Sequence, residues 1–283
     1  RAERQPDGSV KVWGQSTFIS GCHNADFCFM GAPLMKGEEV ELDDNGTPIF
    51  KMWFIPKDQF EIVRTWDVAG MRGSGSDDVK VDGGIVPAKY AGIDLWTVPA
   101  HYPSPVYRMP TALRLAYNKA AIAIGIAKGS LEVFADIAKN KIPMLTSASL
   151  ANRGIAQYRM GVAEATYRAS RAWLMESMTA VEDELTGNSE LPGAKTTQDA
   201  RLACTHAANE CMKAVDLLHN TAGTTGMRTF SPLERKLRDS HGAATHRWVA
   251  HPLYEDLGKI LLGIEPGPEF AGSTGAPVPP ARK

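Results

Sequence analysis

The sequence holds only four cysteines, Cys22, Cys28, Cys204 and Cys211, and none belongs to a Cys-x-x-Cys pair. No His/Cys cluster has zinc spacing, so no metal site is expected. Cys204 and Cys211 lie seven residues apart, which sets two thiols on one helix face. Burial is the plain expectation there, and free thiols suit a reducing cytoplasm. An excess of one charge is missing too. With 31 basic against 32 acidic residues the net charge is −1, which leaves no basic field to hold nucleic acid. Apolar runs such as AAIAIGIA at 120–127 fall well short of the ~20 residues that span a bilayer. No signal-peptide pattern is visible. The chain starts at Arg1 rather than Met, which fits a piece of a longer protein.

What is present divides into two styles. From Gly8 to Tyr90 the runs VKVWGQSTFIS, FCFMGAPLM, TPIFKMWFIP, FEIVRTW and DVKVDGGIVP are short, rich in β-branched and aromatic residues, and separated by turn signals. Asn45-Gly46 is a hairpin signal and Gly83-Gly84 a turn or bulge. A β domain over 1–100 follows, read as an antiparallel barrel or sandwich. Pro99, Pro103, Pro105 and Pro110 punctuate a linker. Helical spacing then predicts four long helices at 111–139, 148–186, 196–220 and 232–262, a C-terminal bundle over 101–264. Leu113, Ala120, Ile124, Ala127 and Leu131 mark one face of the first helix. Its many small residues let neighbouring helices, or other subunits, approach closely. The Pro/Gly-rich stretch 265–283 reads as a flexible tail. The fold class is α+β.

Four segments carry chemical interest. GQSTFISGCHNADF at 14–27 is a strand ending in Ser20-Gly21, with His23 just beyond. TWDVAGMRGSGSDDVKVDGGIVP at 65–87 holds Trp66 and a tight Arg72–Ser76 loop. HNTAGTTGM at 219–227 is a glycine-bearing turn between helices. SPLERKLRDSHGAATHRW at 231–248 opens with an S-x-x-E capping box and Pro at the first helical position. It then carries Arg238-Asp239, thins to Gly242-Ala243-Ala244 and reaches His246. Read as one helix, Gly242 lies four residues before His246 on the same face, leaving a slot wide enough for a flat ring. Taken alone, Ser20 also fits a serine closing its own turn, and His246 a satisfied histidine at a close helix crossing.

In this order the four segments resemble the acyl-CoA dehydrogenase superfamily, and most of all its two-component flavin-dependent aromatic monooxygenases. The resemblance spans about 8–264; the family's N-terminal helical domain has no counterpart in this chain. It implies an acyl-CoA dehydrogenase-like subunit assembling as a homotetramer, with no membrane or nucleic-acid partner. It further implies reduced flavin, FMNH2 or FADH2, supplied by a separate NAD(P)H:flavin reductase. With O2 this flavin hydroxylates a phenolic or polycyclic aromatic substrate through a C4a-hydroperoxide. Dehydrogenases of the family need a carboxylate base. The position that holds it in many of them falls here on Arg247, and residues 106–131, where others keep it, contain no Asp or Glu. An Arg cannot act as a base at neutral pH.

By the same resemblance Ser20 contacts flavin N5, and His246 stands near the flavin C4a and the substrate. The ordinary histidine pKa of about 6.5 would let His246 take a phenolic proton. Trp66, Arg72, Ser74 and Ser76 would pack beside the flavin. Gly223 and Gly226 would contact its phosphate or adenine. His23, Asp239 and Gly242 would touch substrate or support those that do. Rival expectations are an acyl-CoA dehydrogenase with a displaced base, or an oxygenase of sulfur heterocycles or amino sugars.

Overall fold

Alternating apolar residues fold the first part of the chain into a sheet. In the structure, a computed structural model that describes residues 1–90, 92–93, 102, 104–187 and 191–266, two compact units form. One comprises 1–68 and 72–93, the other 69–71 and 102–266. The expected junction near residue 100 and most of the expected tail lie outside the described residues.

The first unit has strands β1 (Ala2–Arg4), β2 (Val10–Ser16), β3 (Phe27–Lys36), β4 (Glu39–Val40), β5 (Phe50–Pro56), β6 (Glu61–Val63) and β7 (Asp78–Val86). Their order is β4-β3-β1-β2-β7-β6, with β5 also paired to β3. Pairing is antiparallel, as expected, except that β1 runs parallel to β3, which makes the sheet mixed. Every second residue points inward. Val10 and Val12 of β2, Cys28, Met30, Ala32 and Leu34 of β3, Trp53 and Ile55 of β5, and Val79 and Val81 of β7 form one core. Gly83 is a bulge. Val12 pairs with Gly84 but Trp13 with Asp82, so Gly83, at φ 73°, is skipped by the ladder.

The second unit has helices α1 (Pro105–Arg108), α2 (Thr111–Asn140), α3 (Gly154–Thr186), α4 (Ala194–Ala222), α5 (Pro232–Ala244) and α6 (Leu253–Leu261). α4 packs against both α2 and α3, and its buried faces are rich in alanine, among them Ala200, Ala203, Ala207 and Ala208. α2 answers with Ala116, Ala120, Ala123 and Ala127. Small side chains let the helix backbones come together, and Leu113, Phe134 and Leu218 fill the wider places.

Two expectations need correction. The fourth predicted helix, 232–262, is two helices joined by a turn at 245–252. The Thr245 hydroxyl donates to Gly242 O at 2.9 Å, and His246 N reaches Ala243 O, a three-residue return that tightens the helix end. Pro252 then disfavours helical backbone at His251. The capping box does not form either. Ser231 is the N-cap but gives no side-chain cap, and its buried Oγ has no hydrogen-bond partner among the described residues. The Glu234 carboxylate turns forward to Arg238 instead, accepting from Nε at 2.6 Å and Nη2 at 2.9 Å. A charged two-pronged bond one turn on outcompetes a backbone amide.

All four cysteines are buried and unpaired in disulfides. Burial pushes the thiols of Cys204 and Cys211 up to about 12 and that of Cys28 to about 11. No described helix is long and apolar enough to cross a membrane.

The alanine seam gives a direct test. Ala207 is fully buried on α4, which packs against α2 and α3, so Ala207→Leu should overpack it. A loss of about 1–3 kcal/mol is expected, read as a lower urea midpoint at unchanged slope.

Candidate active site

In the first unit the turn after β2 is stitched to the loop before β7. Ile19 N donates to Asp77 O at 3.1 Å and Gly21 N to Ser74 O at 2.9 Å. These two bonds set the spacing of every side chain between the segments. Ser20 and Ser76 hydroxyl oxygens lie 2.7 Å apart, and Ser76 and Ser74 oxygens 2.8 Å apart. Ser76 is buried, Ser74 half-buried and Ser20 exposed. Beside Ser20, Phe18 is 71% exposed and held at φ 59°, a backbone conformation that costs a non-glycine residue ~1–3 kcal/mol. Its ring meets that of Trp66 edge-on at 6.0 Å.

Asp77 anchors this arrangement, and sequence reasoning did not select it. One carboxylate oxygen accepts from the amides of Thr65 and Trp66, both at 2.7 Å, and the other lies 2.6 Å from His23 Nε2. Led by the Trp66 amide, then His23 and the Thr65 amide, these contacts hold its pKa down to about 2. The signal lay in the acidic doublet Asp77-Asp78 at the entrance to an apolar strand, because charges there must be buried and partnered. Asp78 is likewise buried and accepts from Gln15 Nε2 at 2.7 Å and the Thr65 hydroxyl at 2.9 Å. His23 therefore braces the loop through Asp77. Arg72 is exposed at the head of the same loop.

The surface fits a flavin ring. Ser20 exposes its hydroxyl two residues beyond Phe18, whose ring meets that of Trp66, and nothing lies within 4 Å of where a Cβ on Gly21 would sit. A flat, largely apolar ring with polar edge atoms needs such a mixture.

In the second unit α5 grips the short segment 69–71. Asp239 Oδ1 accepts from Met71 N at 2.7 Å, and the Arg238 guanidinium donates to Ala69 O. A Cβ on Gly70 would stand 1.9 Å from Arg238 O, so only glycine permits this approach. Asp239 is thus a backbone anchor here. Gly242 departs from expectation: a Cβ there would meet Met71 Cγ at 2.8 Å, so the space beside it is filled by protein and is no substrate slot.

His246 lies in the turn beyond α5, not on the helix. Its surface is open to solvent, yet loss of water around the ring, then the charges of Lys119 and Arg247, lower its pKa from 6.5 to about 4. The expectation of an ordinary histidine pKa fails for that reason. At neutral pH the ring is an uncharged hydrogen-bonding group in a cationic field. The Trp248 amide approaches its Nδ1 at 3.4 Å. The Trp248 ring lies near the guanidinium groups of Arg247, at 5.0 Å, and buried Arg201, at 5.6 Å. Lys119, on α2, also loses water and has its own pKa lowered by burial.

The turn after α4 bonds its own amides. Gly223, at φ 58° and ψ −142°, takes a conformation open to glycine, and its amide returns to Asn220 O. Gly226 N donates to Gly223 O at 2.9 Å. Both amides are used inside the turn.

Comparison with known proteins agrees with this architecture. Residues 117–251 match the family model described as acyl-CoA dehydrogenase, C-terminal domain. The chain is 30% identical over 268 residues to an indole-3-acetate monooxygenase of Acinetobacter baumannii, covering 93% of this chain and 66% of the relative. It is 27% identical over 278 residues to the p-hydroxyphenylacetate 3-hydroxylase oxygenase component of Acinetobacter baumannii, covering 93% of this chain and 62% of that protein. It therefore spans somewhat less than two thirds of these curated relatives. A solved structure of XiaF from Streptomyces sp., in complex with FADH2 and glycerol, superposes with a TM-score of 0.80 at 20% identity, covering 94% of this chain and 67% of XiaF.

Two titrations check the electrostatics. Lys119→Met should raise the His246 pKa from about 4 toward 6.5, followed by the imidazole proton resonances against pH. Asp77 is held below its usual 3.8, so its contribution to stability is complete above that value and is lost as pH falls toward 2. Asp77→Asn should flatten this acid limb in pH-dependent urea melts.

Proposed function

The chain belongs to the acyl-CoA dehydrogenase superfamily, and from there we propose that it is the oxygenase component of a two-component flavin-dependent monooxygenase. It takes FMNH2 or FADH2 from a separate NAD(P)H-dependent reductase and hydroxylates a phenolic or polycyclic aromatic compound with O2. When bound, the reduced flavin would supply two electrons to O2, so that one oxygen atom enters the substrate and the other leaves as water. Two relatives, one an indole-3-acetate monooxygenase and one an oxygenase component of a hydroxylase, support this class.

The observation that carries the reading is the charge around His246. Removing a proton from the carbon chain of an acyl-CoA calls for a strong base. His246, held near 4 by loss of water around its ring and by the charges of Lys119 and Arg247, is a weak one, and the neighbouring position where a carboxylate would stand is Arg247. The same cationic field suits an aromatic hydroxyl. Neutral His246, its Nδ1 accepting from the Trp248 amide, donates from Nε2 to a phenolic oxygen, while Lys119 and Arg247 stabilise negative charge that grows on that oxygen.

In the first unit Ser20 offers its hydroxyl to flavin N5, with Phe18 and Trp66 flanking the ring. Arg72 brings a charge suited to the flavin phosphate. Ser74, Ser76 and His23 support Ser20 and its turn. A homotetramer accounts for apolar side chains left exposed on α2 and α3, among them Ile122, Val162 and Met175. Four free thiols suit a cytoplasmic setting.

A screen of aromatic compounds with the protein, reduced flavin and O2, read by mass spectrometry, tests the assignment. The expected product carries one added oxygen atom. His246→Ala should slow its formation by about 10²-fold or more while leaving reduced-flavin binding near wild type. Bleaching of bound FAD on adding an acyl-CoA, with no oxygenated aromatic, would return the chain to the dehydrogenases.

A further inference from the structure

Three serines form an unbroken line of hydroxyls in the first unit. Ser20, Ser76 and Ser74 oxygens are separated by 2.7 and 2.8 Å, the ordinary length of an O–H···O bond, and in each pair either oxygen can be the donor. The middle member, Ser76, is 5% exposed, so its bonding is fixed by protein more than by water. Backbone bonds from Ile19 to Asp77 and from Gly21 to Ser74 hold the two segments in register, and the His23–Asp77 contact of 2.6 Å braces them beside the line. Gly75 separates Ser74 from Ser76 at φ 50°, and a Cβ there would press on the His23 ring at 3.0 Å.

A hydroxyl donates one proton and accepts on its lone pairs. If Ser20 donates outward, it accepts from Ser76, and Ser76 accepts from Ser74. If Ser20 accepts from outside, all three rotate: Ser20 donates to Ser76 and Ser76 donates to Ser74. Both orders keep both bonds and break no covalent bond. Flavin N5 presents these two demands in turn, since it is a bare acceptor when oxidised and bears an N–H when reduced.

We propose that Ser76 and Ser74 are positioning residues whose hydroxyls reverse direction together, so that Ser20 meets oxidised N5 as a donor and reduced N5–H as an acceptor. The inference rests on the flavin reading above. A lone Ser20 hydroxyl would also turn, but with its direction set by solvent. Coupled to buried Ser76, it is held to two orientations, and the balance between them sets how well the protein prefers one redox form of the flavin over the other.

The test uses the whole protein and flavin labelled with 15N at N5. Dissociation constants for oxidised flavin, and anaerobically for reduced flavin, are measured beside the N5 resonance of each complex. Ser76→Ala should change the ratio of the two constants by about three- to tenfold and move the N5 resonance, with the thermal midpoint near wild type. Ser76→Thr should restore both, and Ser74→Ala should act in the same direction as Ser76→Ala but more weakly. If Ser20→Ala moves the N5 resonance while Ser76→Ala and Ser74→Ala leave ratio and resonance at wild-type values, the relay is overturned and the flavin contact stands. If the wild-type protein binds neither form, the flavin reading fails and the relay fails with it.

Discussion

A buried carboxylate organises the first unit. Asp77 sits at the mouth of β7, where a charge survives only if every lone pair is answered, and two amides and an imidazole answer it. Those partners come from the start of the preceding loop and from the short helical turn at Cys22–Asn24, segments distant in sequence. Bringing them to one carboxylate closes the loop, orients Trp66 and brings Ser74 and Ser76 to Ser20. Without that carboxylate the same backbone amides would be orphans, and only the two backbone bonds from Ile19 and Gly21 would hold the spacing of the hydroxyls.

The second unit solves a different problem with opposite charge. Around His246 the nearby ionisable groups that set its pKa are cations, and loss of water adds to their effect. The result is a histidine that stays neutral well into the acid range. Such a group donates and accepts hydrogen bonds but holds a second proton poorly. That temperament suits an oxygen-transfer reaction on an electron-rich ring better than removal of a proton from carbon.

Much of this was legible in the sequence for identifiable reasons. Strands with alternating burial and helices with a continuous alanine face announce themselves through period, and the bulge at Gly83 through its glycine pair. Ser20 and the segment Trp66–Ser76 were marked by the family resemblance, but the meeting of their three hydroxyls was not. What period cannot show is competition between partners. Glu234 looked like half of a capping box until Arg238 claimed its carboxylate. His246 looked helical until Thr245 and Pro252 ended α5 early. Gly242 looked like a vacancy, yet Met71, 171 positions earlier in the chain, fills it. Asp77 escaped notice because its importance lies in what converges on it, and convergence is a property of three dimensions.

The burial of the four thiols has a practical side. With Cys28, Cys204 and Cys211 raised to between about 11 and 12 and Cys22 also raised, almost no thiolate exists near neutral pH. The native chain is thus close to silent toward maleimide dyes and spin labels. A single cysteine introduced at an exposed position would carry a probe alone, without first stripping the natural ones from the alanine seam and the sheet.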